Sequence, residues 1–121
     1  MSRIAVSSEG PHLESQVDPR FGRAAGFVIV DPDTMSYEYL DNGATQTMSQ
    51  GAGIQAAETV VRAGIKTVLT GFVGPKAFQA LRAARVEIGQ NLHGLTVREA
   101  IERFNKGQIE FASQPNPMGR G

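Results

Sequence analysis

The chain contains no cysteine and no tryptophan, only two histidines, and no excess of either charge. Each shortage closes off a class of chemistry. Without cysteine there are no disulfides and no thiolate-ligated metal sites. Twelve Lys and Arg balance twelve Asp and Glu, so the whole-molecule field gives no reason to expect nonspecific attraction to nucleic acid or membrane; a local basic patch stays open. No apolar run approaches the roughly 20 residues needed to cross a bilayer. The N-terminus runs straight into a strand-like pattern without the apolar core of a signal peptide, so a cytoplasmic address is expected.

What remains is ordinary for a globular chain: 121 residues, 40% hydrophobic and 20% charged, a length that favours one core. Residues 1–112 are expected to form a single α/β domain. Residues 113–121, rich in Pro and Gly, read as a flexible tail. Residues 3–8 form a first strand, and a loop broken by Gly10-Pro11 and Asp18-Pro19 follows. Gly26–Asp31 and Ser36–Asp41, joined by the turn Asp31-Pro-Asp-Thr34, form an antiparallel hairpin. Residues 42–50 read as a polar loop.

The rhythm then alternates between helix and strand. Ile54, Ala57, Val60 and Val61 recur at helical spacing over 52–63, with Gly64 as the stop. Lys66–Thr70 is a short buried strand. Pro75 opens a second helix with apolar face Ala77, Phe78, Leu81 and Ala84. Val86–Gly89 is the fifth strand. Thr96-Val-Arg-Glu99 is a capping box for a third helix, which Gly107 ends. The simplest right-handed threading is a mixed sheet of order 3-2-1-4-5 with strand 2 antiparallel. Its strand 1/strand 4 junction is a topological switch point, where a crevice should open.

Three glycine-bearing segments converge there: the loop after strand 1, Gly51–Gly53 at a helix start, and Gly71-Phe-Val-Gly74. Two helix N-termini aim amides and positive dipole ends at this edge, and Arg20, Arg23 and Lys76 lie in or beside the segments. The pattern reads as an anion site; the alternative is that the glycines serve turns and close packing alone. Gly51-x-Gly53-x-x-Ala56 lacks both the preceding strand and the following carboxylate of a dinucleotide fingerprint, and there is no Walker lysine motif. The strand order is also that of ribonuclease H-like folds. A two-metal nuclease needs carboxylates on the central strands, and these offer only Arg3, Ser7, Ser8, Lys66, Thr67 and Thr70. No spacing couples Ser7 or Ser8 to a histidine base, so no catalytic residue is expected. His12 and His93 read as solvated loop histidines, with metal ligation as the alternative. Met48 and Met118 are soft donors on loops. Phe21, Phe72 and Phe78 belong to the core or the site's rim, and Asp18 and Glu14 cap or solvate the first loop.

Residues 18–31 (DPRFGRAAGFVIVD), 51–81 (GAGIQAAETVVRAGIKTVLTGFVGPKAFQAL) and 96–101 (TVREAI) together resemble the dinitrogenase iron-molybdenum cofactor biosynthesis family. The match runs in order from strand 1 to the third helix. The resemblance implies a three-layer ribonuclease H-like fold and a non-enzymatic carrier or scaffold for metal–sulfur cofactors. It is strongest toward members implied to hold a mixed molybdenum–copper sulfide cluster noncovalently, with a link to cell-division complexes. Thiomolybdate and copper, or the assembled cluster, are then the expected guests, and protein partners in delivery are implied.

Such a guest is large, soft and anionic and carries its own sulfide ligands, so amides and cations can hold it from outside the metal's ligand shell. The holding residues are expected to be Arg20, Phe21, Gly22, Arg23, Gly51, Ala52, Gly53, Ile54, Gly71, Phe72, Val73, Gly74 and Lys76. Ile54, Phe72 and Val73 would cover its apolar faces. The alternatives are a small regulatory or adaptor module binding a nucleotide or a protein, and a scaffold for an iron-molybdenum cofactor precursor.

Overall fold

The computed structural model describes residues 3–48 and 50–115. Met118 and most of the expected tail lie outside these residues. The elements in chain order are β1 (Ile4–Ser8), β2 (Gly26–Val30), β3 (Tyr37–Asp41), α1 (Gly43–Gln46), α2 (Ala52–Arg62), β4 (Thr67–Leu69), α3 (Pro75–Ala83), β5 (Glu87–Gly89) and α4 (Val97–Asn105). The strands form one sheet of order β3-β2-β1-β4-β5. β2 runs antiparallel to both β1 and β3, while β1, β4 and β5 are parallel. This is the mixed sheet that the hairpin and the right-handed crossovers demand.

Every residue of β1, β2 and β4 is buried, because helices cover both faces of the sheet centre. Alternation along each strand sends Ala5, Phe27, Ile29, Val68 and Ile88 into one core, shared with Ala56, Val60, Phe78 and Leu81 of α2 and α3. The intervening residues Ile4, Val6, Val28, Val30 and Leu69 enter a second core with Val97, Ala100 and Ile101 of α4. The result is three layers of helix, sheet and helix.

The capping box of α4 is present in full: the Thr96 side chain accepts from the Glu99 amide, and the Glu99 carboxylate accepts from the Thr96 amide. One element departs from expectation. The polar stretch 42–50 is not all loop but contains α1, a single turn begun by bonds from the Thr45 and Gln46 amides to the Asn42 carbonyl. One turn is too short for a hydrophobic period to show, so the sequence pattern passes over it. Beyond α4 the chain returns along β5, with Phe111 bridging Gly89 and the Ala112 amide donating to Ile88.

Candidate functional site

The crevice is built by pinning the long loop after β1 back onto the sheet. The Asp18 amide donates to the Ser7 carbonyl at 2.8 Å, and the Ser7 hydroxyl donates to the Asp18 carbonyl at 2.9 Å. Thr70, just after β4, meets the Ser7 hydroxyl at 2.6 Å, with both side chains fully buried. Two residues on, the loop adds a short parallel bridge: the Phe72 amide donates to Pro19 at 2.7 Å and the Phe21 amide to Phe72 at 3.0 Å. The Asp18 carboxylate accepts from the Arg20 amide and turns the chain there. Residues 20–23 are thereby fixed at the switch point between β1 and β4.

Close backbone approach does the rest. A Cβ on Gly22 would stand 2.7 Å from the Gly53 Cα, and one on Gly71 would stand 2.7 Å from the Pro19 Cα. Only glycine lets the loop lie flat against the start of α2 and against the segment after β4.

A cavity of about 640 Å³ opens where these segments meet, lined by residues 20–23, 50–54, 72 and 74–77. Two helix starts face it. Neither α2 nor α3 has a side-chain cap or an acidic residue in its first turn. The first bonded amide of each is Gln55, donating to Gly51, and Phe78, donating to Gly74. The amides of Gly53, Ile54, Lys76 and Ala77 find no acceptor among the described residues. Arg20, Arg23 and Lys76 line the cavity, and none of its lining residues is a carboxylate. Unpaired amides, two positive dipole ends and three cations on one concave surface favour an anion.

The residues singled out from sequence divide into groups. Arg20, Gly22, Arg23, Gly51, Ala52, Gly53, Ile54, Phe72, Gly74 and Lys76 come together on the cavity wall. Phe21 contributes backbone there, while its ring is buried against Phe27 with centroids 5.3 Å apart. Val73 and Gly71 do not line the cavity: Val73 is buried in the α2/α3 core, and Gly71 is packed against Pro19. Arg23 donates through Nη1 to the carbonyls of Gln46 (3.2 Å) and Met48 (2.6 Å), so it also braces the segment between α1 and α2. Arg20 forms an ion pair with the buried Asp18, Nε to Oδ1 3.6 Å, while its own side chain is 58% exposed.

His93 stacks on Phe72 with ring centroids 4.7 Å apart, which sets it beside the cavity wall. His12 is exposed on the first loop and does not line the cavity. The Met48 Cε lies close to Gly51. Among the described residues no three His, Asp or Glu side chains gather in a way that would hold a metal ion, and no helix is long and apolar enough to cross a membrane. The expected holding residues did not include Gln50, Pro75 and Ala77, which also line the wall. Ala77 sits at the third position of a proline-opened helix, where an orphan amide is the rule. A further cavity of about 550 Å³, between α4 and the C-terminal segment, contains neither helix start.

The structure resembles that of the apo form of the orange protein from Desulfovibrio gigas, with 61% identity over 96% of this chain and 97% of that one, at a TM-score of 0.93. It also resembles a putative NifB protein from Thermotoga assigned to the DUF35 family, with 32% identity, 98% and 100% coverage, and a TM-score of 0.82. No curated protein sequence matches. The family model described as dinitrogenase iron-molybdenum cofactor matches residues 1–107, and with that match across nearly the whole folded chain, on this fold, the protein belongs to the dinitrogenase iron-molybdenum cofactor family.

Proposed function

We propose that the protein is a non-enzymatic binder and carrier of a preassembled anionic metal–sulfur cluster of the molybdenum–copper sulfide type, held noncovalently in the 640 Å³ crevice. The observation that carries this reading is the contrast between helix starts. The chain caps α4 on both sides with Thr96 and Glu99, yet leaves α2 and α3 bare where they face the cavity. Similarity to the orange protein and membership of a cofactor family support the choice of a metal–sulfur guest.

The donor set fits that cargo. The chain has no thiol, so it supplies hydrogen bonds and positive charge while the sulfides remain the metals' own ligands. The amides of Gly53, Ile54, Lys76 and Ala77 point donors at sulfur, Arg20 and Lys76 supply charge, and Ile54 and Phe72 cover apolar surface. This is a holding surface, and binding needs no proton transfer or nucleophile.

Titration of tetrathiomolybdate and then copper into the metal-free chain tests the reading. A visible charge-transfer band should co-elute with protein on a desalting column, and the amide resonances of Gly53, Ile54, Lys76 and Ala77 should move together. A charge-assisted bond contributes about 1.5–3 kcal/mol when shielded. Arg20 is largely exposed, so screening lowers its share to about 1 kcal/mol or less. The double variant Arg20→Ala/Lys76→Ala should then weaken retention roughly tenfold. Shifts confined to other segments, with retention unchanged in the variant, would overturn the proposal.

A further inference from the structure

A second surface, distinct from the crevice, lies along β3, the terminal strand on one side of the sheet. The bonds flanking the β2–β3 ladder, from the Asn42 amide to Ala25 and from the Asp31 amide to Ser36, set its phase. With the register Phe27↔Leu40 and Ile29↔Glu38, the amides and carbonyls of Glu38 and Leu40 turn toward β2. Those of Tyr37, Tyr39 and Asp41 turn outward, away from the sheet. Among the described residues no backbone group pairs with this edge, which is therefore an open hydrogen-bonding template.

Its side chains have a definite chemistry. Tyr37, Tyr39 and Asp41 share one face, and the two tyrosines are 44% and 37% exposed, beyond the cover that α4 gives the sheet centre. The Tyr39 ring reaches across Gly26, the ladder partner of Asp41, and burial, with the charge of Asp41 second, pushes its phenol above its ordinary value. Glu38, on the other face, is met by Arg3. Asp31 and Asp33 lie in the turn preceding β3, and among the described residues neither they nor Asp41 takes part in an ion pair.

We propose that the outer edge of β3 receives an extended segment of another protein as a sixth strand, and that this segment carries lysine or arginine at alternate positions. The outward groups of Tyr37, Tyr39 and Asp41 supply the ladder. Basic side chains on the tyrosine face lie over the two rings and beside Asp41. The same charges argue against a second copy of this chain: antiparallel pairing about Tyr39 would bring Asp41 of each copy toward the acidic turn of the other.

The probes are a short peptide alternating lysine with threonine, its glutamate counterpart, and the full-length ¹⁵N-labelled protein. The lysine peptide should move the amide resonances of Tyr37, Tyr39 and Asp41 and leave those of Gly53 and Ala77 in place. The glutamate peptide should bind at least roughly tenfold more weakly. Tyr37→Pro removes an outward amide without breaking a bond to β2, and Asp41→Lys reverses the local charge. Each should weaken the lysine peptide by roughly fivefold or more, with the dispersed spectrum of the remaining residues showing that the variant is folded. Equal affinity for both peptides, shifts that spare β3, no shifts at millimolar peptide, or self-association through this edge would overturn the proposal. None of these outcomes depends on the metal–sulfur guest.

Discussion

The hydroxyl pair beneath the crevice makes a sharp test of how the loop is held. Ser7 has one hydroxyl hydrogen and gives it to the Asp18 carbonyl, so in the 2.6 Å contact with Thr70 the threonine must be the donor. The chain of bonds runs from Thr70 to Ser7 to Asp18, in a fully buried site. Ser7→Ala removes the middle link and strands two buried groups, the Thr70 hydroxyl and the Asp18 carbonyl. Each stranded group costs about 1–3 kcal/mol, giving about 2–6 kcal/mol in all. Thr70→Val is nearly isosteric and leaves the bond from Ser7 to Asp18 intact, so it should cost only about 1 kcal/mol. The double variant leaves a single orphan, the Asp18 carbonyl. It should therefore be more stable than Ser7→Ala alone, so that adding a second mutation restores stability. Urea unfolding of the four proteins reads this directly through the midpoint at constant slope. If Thr70→Val costs more than Ser7→Ala, or if the double variant is the least stable of the four, the assigned direction of the bonds is wrong.

Other outcomes follow from the same geometry. Gly22→Ala places a Cβ against the Gly53 backbone; it should cost about 1–3 kcal/mol in thermal unfolding and abolish guest retention by prising the loop from α2. Gly74 has the extended geometry of a good N-cap (φ −70°, ψ 165°). Gly74→Asp should raise stability by a few tenths of a kcal/mol while weakening tetrathiomolybdate retention, because its carboxylate consumes orphan amides and repels the guest. Arg23→Met should speed hydrogen exchange near Gln46 and Met48, whose carbonyls lose their brace, and leave α4 protection unchanged. The raised Tyr39 value means the folded state keeps the phenol proton more tightly than the unfolded chain does. The associated stability is fully present below the ordinary value of 10.0 and is lost as the pH rises through the folded value. Ultraviolet titration should show Asp41→Asn moving the Tyr39 midpoint only part of the way down, since burial is the larger cause.

The fold was legible because its determinants are local and periodic. The Asp31–Thr34 turn, the Pro75 helix start and the Thr96–Glu99 box each act within a few residues, and right-handed crossovers leave little choice of strand order. The candidate cavity was legible to the level of the segments that line it but not of their side chains. In Gly71-Phe-Val-Gly74, sequence does not say which of two neighbours faces the cavity; the bridge between Arg20 and Phe72 decides it, turning Phe72 to the wall and Val73 to the core. The bonds of Arg23 join residues 23 and 25 positions apart, a separation on which no period bears. The same holds for the link between Ser7 and Thr70, 63 positions apart. It arises only once β1 and β4 are neighbours.

The bare starts of α2 and α3 carry a cost that bears on why the crevice is built as it is. A side-chain cap contributes about 1 kcal/mol to a helix end, and α4 shows that this chain uses one where the end faces no cavity. Glycine as N-cap of both α2 and α3 gives up part of that stabilisation and keeps the approach to the amides open. Rigid amides in a preformed cavity lose little entropy on binding, whereas long cationic side chains must be ordered. A guest with charge spread over many sulfurs gains from several such weak, fixed donors at once. A compact divalent cation gains nothing from them, since two helix starts and three cationic side chains face the cavity and no carboxylate lines it. On the proposed function, the selectivity of this crevice would reside mainly in its backbone, with Arg20 and Lys76 adding charge on its wall.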